Sequence, residues 1–365
     1  MTGVDAIGRR ADQGLEGLAD IPRLSAWLDT NIPQLGKGPL VAKKIHGGTS
    51  NVILSLDRGE GTMILRRPPV VPPPGSEKSV LREARVLSAL NGTDVPHPHC
   101  YASCADAEVI GAPFYVMELV PGWAAELRDG HIYHRAPFDQ MPGEWGIPYA
   151  MVDGLIALAN VDYKALGLEG FGKPDGYLER QVDRWEGQLL SYEKLYGYPG
   201  REIPGYAYVR DWLRANIPDD FRPGIIHGDV GTPNALFAFD RPARLTALID
   251  WELSTIGDPL LDLAWLTNKL RDEEEPNRID PDALYAIANM PTRQELARYY
   301  AAGTGRDLGS FPYYCALAMF KGGCILEYKV AQSAAGILPP ETGRFFDKLV
   351  LGGFEKAERL CRRQG

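Results

Sequence analysis

Three short runs rich in Val, Ile and Leu, at 41–45, 52–56 and 62–66, follow one another with turn residues between them and predict consecutive strands. Ahead of them, Leu24, Trp27 and Leu28 stand at helical spacing. They predict a short helix on the outside of the domain, within a preface covering 1–36. A stiff loop with Pro72-Pro73-Pro74 leads into a helix over 80–90. A strand is expected beyond Val95, and the apolar run Phe114–Val120 is a further strand, stopped by Pro121-Gly122.

Beyond that stop the period lengthens. A compact apolar helix is expected over 149–161, a long one over 176–196 carrying Val182, Trp185, Leu189 and Leu190, and another over 208–215. The stretch from Ile225 to Pro259 reads as a short apolar strand, a polar turn, two more strands and an exit loop. Asp258 is expected to cap the next helix, with Pro259 at its first position. Three closing helices are predicted over 292–301, 311–332 and 341–362. Residues 123–148 are irregular, and both a substrate-side insertion and a surface loop remain open.

Composition narrows the class. At 365 residues the chain can hold two domains or one large bilobal one. Hydrophobic residues at 45% and charged ones at 24% suit a soluble globular protein. The net charge of -9 disfavours nucleic acid and anionic membrane, and tolerates a cationic substrate. No apolar run approaches the ~20 residues of a membrane span. The first residues lack a secretory apolar core. Five cysteines at no regular spacing do not suggest a disulfide scaffold, so a cytoplasmic protein with reduced thiols is expected. His97, His99, Cys100 and Cys104 are zinc-ligand types at a non-standard spacing, and an ordinary strand is preferred there. The acidic run Asp272–Glu275 is expected to be a solvated loop.

The candidate chemistry lies in Ile225–Pro259. Asp229 follows His227-Gly228, Asn234 comes five residues later, and Asp250 closes an apolar strand. Phosphoryl transfer needs a carboxylate to receive the nucleophile's proton and hard oxygens to hold magnesium against phosphates. Taken singly, Gly-Asp is an ordinary turn and Asn234 an ordinary cap; the spacing makes them a set. Earlier, Gly47-Gly48-Thr49-Ser50-Asn51 joins two predicted strands. Such a loop can present backbone N–H groups to phosphates, though it also makes a plain hairpin.

His-Gly-Asp-x-x-x-x-Asn followed by Ile249-Asp250-Trp251-Glu252 resembles the aminoglycoside phosphotransferase family, a branch of the kinase-like fold. The resemblance implies an α+β, bilobal protein-kinase-like fold. Its small β-rich N-lobe would cover 37–120 and its larger, mainly helical C-lobe 121–365, with ATP or GTP and magnesium as cofactors. Asp229 would be the catalytic base, and Asn234 and Asp250 the metal ligands. Gly47, Gly48, Thr49, Ser50 and Asn51 would form the nucleotide loop. Met117, Glu118 and Val120 would border the adenine. Arg66 takes the position of the usual Lys, paired with Glu83 on the next helix; the swap keeps a cation but changes its geometry. Asp262 matches a supporting Asp, and His227 is expected to shape the loop.

The acceptor is expected to be a small-molecule hydroxyl. The family name points to aminoglycosides. The GGTSN, LRRPP, LREARVLSAL and PFYVMELVPG segments resemble instead the kinase-like domain of acyl-CoA dehydrogenase fusions, whose acceptors resemble hydroxyacyl groups. Arg180 and Arg184, four apart on a predicted helix, would either grip an anionic substrate or form a solvated face. A nucleotide-binding protein without catalysis is the alternative of another class, supported only by Arg66. The oligomeric state stays open.

Overall fold

The computed structural model describes residues 17–45, 51–59, 61–72, 75–128, 131–140, 143, 146–275 and 290–365. In chain order these hold α1 (Ile21–Asn31), β1 (Leu40–Ile45), β2 (Val52–Arg58), β3 (Gly61–Arg67), α2 (Ser76–Leu90), β4 (Cys100–Cys104) and β5 (Phe114–Glu118). Then come β6 (Glu126–Arg128), β7 (His131–Tyr133), α3 (Ile147–Ala159), α4 (Glu179–Ser191), α5 (Tyr206–Ala215), β8 (Gly224–Ile226), β9 (Ala235–Phe237) and β10 (Leu245–Leu248). The chain continues through β11 (Thr255–Gly257), α6 (Leu260–Thr267), α7 (Arg293–Thr304), α8 (Phe311–Ala334) and α9 (Pro340–Arg363). One compact unit comprises Met1–Pro121, Ala165–Leu168 and Thr246–Ser254, and a second comprises Gly122–Lys164, Glu169–Leu245 and Thr255–Gly365.

The first unit is built on an antiparallel sheet of order β1-β2-β3-β5-β4. Leu54 pairs with Leu65 and Leu65 with Val116, so one apolar column crosses three strands. With period 2, Leu54, Leu56, Met63 and Leu65 share a face and pack in one core with Leu24 and Leu28 of α1 and Ile32 just past its end. Arg67 lies on that face too. Its guanidinium is buried and donates to the backbone carbonyls of Leu18 and Ile110. Arg66, one residue earlier, must point the other way, towards α2. There Val80, Ala84, Leu87 and Leu90 form the buried stripe, and Glu83 sits within it. A carboxylate at a core position needs a cation, and the strand register supplies one.

The second unit is mainly helical. The α8 and α9 helices approach closely at Gly323, where any Cβ would run into the Phe354 ring. Phe320 stacks on Tyr206 and meets Phe354 edge-on at 5.9 Å between ring centroids. Residues 123–148, left undecided from sequence, include the short hairpin β6–β7, paired Glu126 to Tyr133.

Three expectations need correction. The helix expected over 176–196 is only Glu179–Ser191; Gly176 takes a left-handed φ of 60° before it, and Leu195 is extended after it. Asp258 is more than a cap, and α6 starts one residue later than expected, at Leu260. The Asp258 side chain is fully buried; its Oδ1 accepts from Leu260 N at 3.0 Å, while Oδ2 accepts from Arg222 N, Tyr314 Oη and Arg306 Nη2. The Asp272–Glu275 run is not solvated as a whole. Asp272 is 5% exposed and paired with Arg293, and its three neighbours pair with Arg298, Arg363 and Arg359. All five cysteines are free and buried. Among the described residues no helix is long and apolar enough to cross a membrane.

Candidate active site

In the first unit the chemistry gathers around Arg66, which is 7% exposed. Its Nε lies 3.2 Å from Glu83 Oε2, and its Nη2 lies 2.5 Å from Asp250 Oδ1 and 3.8 Å from Glu252 Oε2. The Asn51 amide, turned so that its oxygen faces the guanidinium, accepts from Nε and Nη2 at 3.2 Å. Burial opposes the Arg66 charge, but Glu83 and then Asp250 outweigh it and raise the guanidinium pKa further. Burial pushes Glu83 up to about 7, with Arg66 the main opposing influence.

Asp250 is the non-glycine residue with positive φ among the described residues, at 67°. That conformation is unfavourable for a side chain with a Cβ, and it persists here because the next residue is pinned. Trp251 is 1% exposed. Its backbone N donates to Glu83 Oε1 at 3.0 Å and its indole to Leu248 O at 2.8 Å. Glu83 therefore holds both the cation and the turn that presents Asp250.

The other positions expected around the nucleotide divide. Gly47, Gly48, Thr49 and Ser50 lie outside the described residues, whereas Asn51 is placed beside Arg66. Met117 and Glu118 end β5, and Val120 lies two residues past it, half-buried. Glu118 N donates to His99 O at 2.9 Å, and its carboxylate accepts from His99 N at 3.2 Å. The ring nitrogens of His97 meet Val95 O and Asn91 Oδ1. Among the described residues no group of three or more His, Cys, Asp or Glu side chains is arranged to hold a metal ion.

In the second unit β8 delivers the chain into His227-Gly228-Asp229. Gly228 takes φ 87°, so the turn needs glycine here. His227 is fully buried. Asp262 of α6 clamps the loop, its Oδ2 accepting from His227 N at 2.6 Å and its Oδ1 from Gly228 N at 2.9 Å. Burial pushes this carboxyl up to about 6, against the pull of those two amides. Asn234 ends a tight turn and donates from Nδ2 to Asp229 O at 2.9 Å and to Asp229 Oδ2 at 3.0 Å. The spacing of five thus has a local cause: the amide orients the carboxylate and directs its own Oδ1 elsewhere.

A cation missed from sequence completes this loop. Lys321 of α8 donates from Nζ to Gly228 O at 2.6 Å. Its one visible signal was a charge set in the otherwise apolar run 311–326, between Phe320 and Gly322. Arg180 and Arg184, for which a grip on an anion and a solvated face were both open, are both exposed. Arg180 donates to the carbonyls of Lys173 and Asp175, and Arg184 lies 4.7 Å over the Trp185 ring.

The phosphotransferase enzyme family model (APH) matches residues 41–299, and the chain belongs to that family. It is 31% identical over 338 residues to acyl-CoA dehydrogenase family member 11 of Gallus gallus, covering 91% of this chain and 42% of that protein. It is 29% identical to acyl-CoA dehydrogenase family member 10 of Mus musculus, covering 90% of this chain and 30% of that one. The chain therefore spans less than half the length of these curated relatives. Among solved structures, a "putative aminoglycoside phosphotransferase" of Ralstonia eutropha superposes with a TM-score of 0.75 at 30% identity, covering 93% of this chain and 99% of that one. The fold is thus the α+β, kinase-like fold of that family.

Proposed function

We propose that the protein transfers the γ-phosphoryl group of ATP or GTP to a hydroxyl of a small molecule, with magnesium as the metal. The observation that carries this reading is the Asp229–Asn234 pair, held on a loop clamped by Asp262. The acceptor oxygen attacks the γ-phosphorus, the bond to the β-phosphate bridging oxygen breaks, and the nucleoside diphosphate leaves. Asp229 takes the hydroxyl proton, with Asn234 fixing the carboxylate so that little reorganisation is left for the reaction.

The donor set fits magnesium. This ion uses one or two protein oxygens and fills its other positions with phosphate and water, so a three-residue cluster is not required. Asn234 Oδ1 and the Asp250 carboxylate would each supply a hard oxygen. Bound magnesium would neutralise charge on the phosphates. Arg66, held by Glu83, would add a planar cation for a phosphate oxygen. Asn51, with Gly47, Gly48, Thr49 and Ser50, would line the nucleotide loop, and Met117, Glu118 and Val120 the base.

A hydroxyacyl-CoA acceptor is the second reading. It is favoured by the similarity to proteins named acyl-CoA dehydrogenase family members, whereas the structural neighbour's name favours an aminoglycoside. The test is label transfer from γ-labelled ATP and GTP to a panel of hydroxyl compounds with and without magnesium. Transfer that needs magnesium and is lost in Asp229→Asn and Asp250→Asn supports the reading. Nucleotide binding without transfer to any acceptor, and without slow transfer to water, would favour a non-catalytic protein.

A further inference from the structure

Gly228 and Asp229 share one planar peptide unit, and its orientation sets where the Asp229 carboxylate points. Glycine leaves that unit loosely specified. Gly228 sits at a left-handed φ of 87°, and without a Cβ it accepts a turned-over peptide at little cost. A contact from outside the loop is needed to select one orientation.

The observed contacts divide that work. Asp262 accepts from His227 N and Gly228 N, so it fixes the two preceding peptide units. The Gly228–Asp229 unit is held from another helix. Its N–H reaches His227 Nδ1 at a long 3.4 Å, whereas its oxygen takes the Lys321 ammonium at 2.6 Å. Turning the unit over would carry that oxygen away from Lys321 and set an N–H against a cation.

Lys321 is itself seated. Its Nζ stands 4.3 Å from the Trp265 ring centroid and 5.5 Å from that of Trp185. Trp265 follows Asp262 by one turn of α6, so one face of that helix brings both the acid for the loop amides and a ring for the cation. Burial lowers the Lys321 pKa, while Asp262 and then Asp229 favour its charged form. Elsewhere in this unit a buried cation meets a carboxylate at ion-pair distance, as Arg306 meets Asp258. Lys321 instead makes its close contact with a backbone oxygen next to the base.

We propose that Lys321 is a positioning residue of the phosphoryl transfer: it locks the Gly228–Asp229 peptide and so keeps the Asp229 carboxylate on Asn234 and turned to the acceptor hydroxyl. This rests on the phosphotransferase reading and adds to it a residue from α8.

Two readouts on the full chain test the lock. One is magnesium-dependent transfer from γ-labelled ATP to water, kanamycin or 3-hydroxybutyryl-CoA, with ATP affinity measured by calorimetry. The other is amide hydrogen exchange across 225–230. Lys321→Met keeps the stem and removes the donor; it should transfer at least about ten-fold more slowly with ATP affinity unchanged, and exchange faster across 225–230. Lys321→Arg should regain most of the rate. Trp265→Leu unseats the ammonium but leaves its charge, and should lose about three-fold in the same way. Transfer by Lys321→Met at the wild-type rate overturns the proposal. So does a loss that falls on ATP affinity, a loss that Lys321→Arg does not relieve, or unchanged exchange. A wild type that transfers to none of the three tells against the phosphotransferase reading instead, and exchange then decides the lock by itself.

Discussion

Asp272→Asn separates the folded arrangement from the solvated loop that an acidic run suggests. The carboxylate is 5% exposed and its Arg293 partner 4%; Arg363 Nη2 lies 3.1 Å away and Gln294 also donates to it. The Asp272 carboxylate ties the start of α7 to the end of α9 through Arg293 and Arg363. Asparagine is isosteric but neutral, and it leaves a buried guanidinium that cannot shed its proton. Removing one partner of a buried pair costs about 3–5 kcal/mol, whereas a surface acid costs within about 0.5 kcal/mol. At about 2–4 °C per kcal/mol, thermal unfolding of this unit should shift down by about 6 °C or more. Acid adds a second reading. Burial raises the Asp272 pKa, but Arg293, the hydrogen bonds from Glu274 N and Gln294, and Arg363 together outweigh it, so the folded value lies below the ordinary 3.8. The group's contribution is therefore present above pH ~4 and lost as pH falls through the lower folded value. The Asp272→Asn protein should lack that acid-limb slope. A shift under about 1 °C, with an unchanged acid limb, would refute the buried-pair reasoning.

Further outcomes follow from the same contacts. Asp262→Asn keeps the shape but gives one loop amide a donor to face. Turnover should fall about ten-fold or more while stability moves by less than about 1 kcal/mol, since the amide also avoids burying a charge; equal turnover would remove the clamp from the mechanism. Gly323→Ala should cost about 1–3 kcal/mol in chemical denaturation, and Phe354→Leu should recover part of it. A double-mutant cycle of Arg66→Met and Glu83→Gln should show a coupling of about 1–3 kcal/mol in stability, and additivity would mean the pair is incidental.

Much of the first unit was legible because its signals are local. The β2 and β3 runs alternate with the sheet's own period, and the family resemblance paired Arg66 with Glu83, which lie 3.2 Å apart. The Asp229–Asn234 spacing was legible for a similar reason, since one tight turn joins the two side chains. What escaped depends on distant partners. Asp272 looks like part of a polar loop until Arg293 and Arg363 arrive 21 and 91 residues later. Lys321 reaches Gly228 across 93 residues, and no periodicity announces it. Asp258 reads as a cap because capping is the local use of an Asp before Pro; its pairing with Arg306 is tertiary. The trimmed start of α4 reflects Gly176, whose left-handed backbone stops an otherwise helical pattern.

The central claim, that Asp229 is the base of a phosphoryl transfer, is tested most directly by single-turnover transfer from ATP to an accepted hydroxyl compound, comparing wild type with Asp229→Asn. Affinity for magnesium and nucleotide is measured in parallel. The account predicts a transfer rate lower by about 10²–10⁴ with nucleotide affinity nearly unchanged. An Asp229→Asn protein that transfers at the wild-type rate, or whose loss is wholly one of nucleotide affinity, would contradict it.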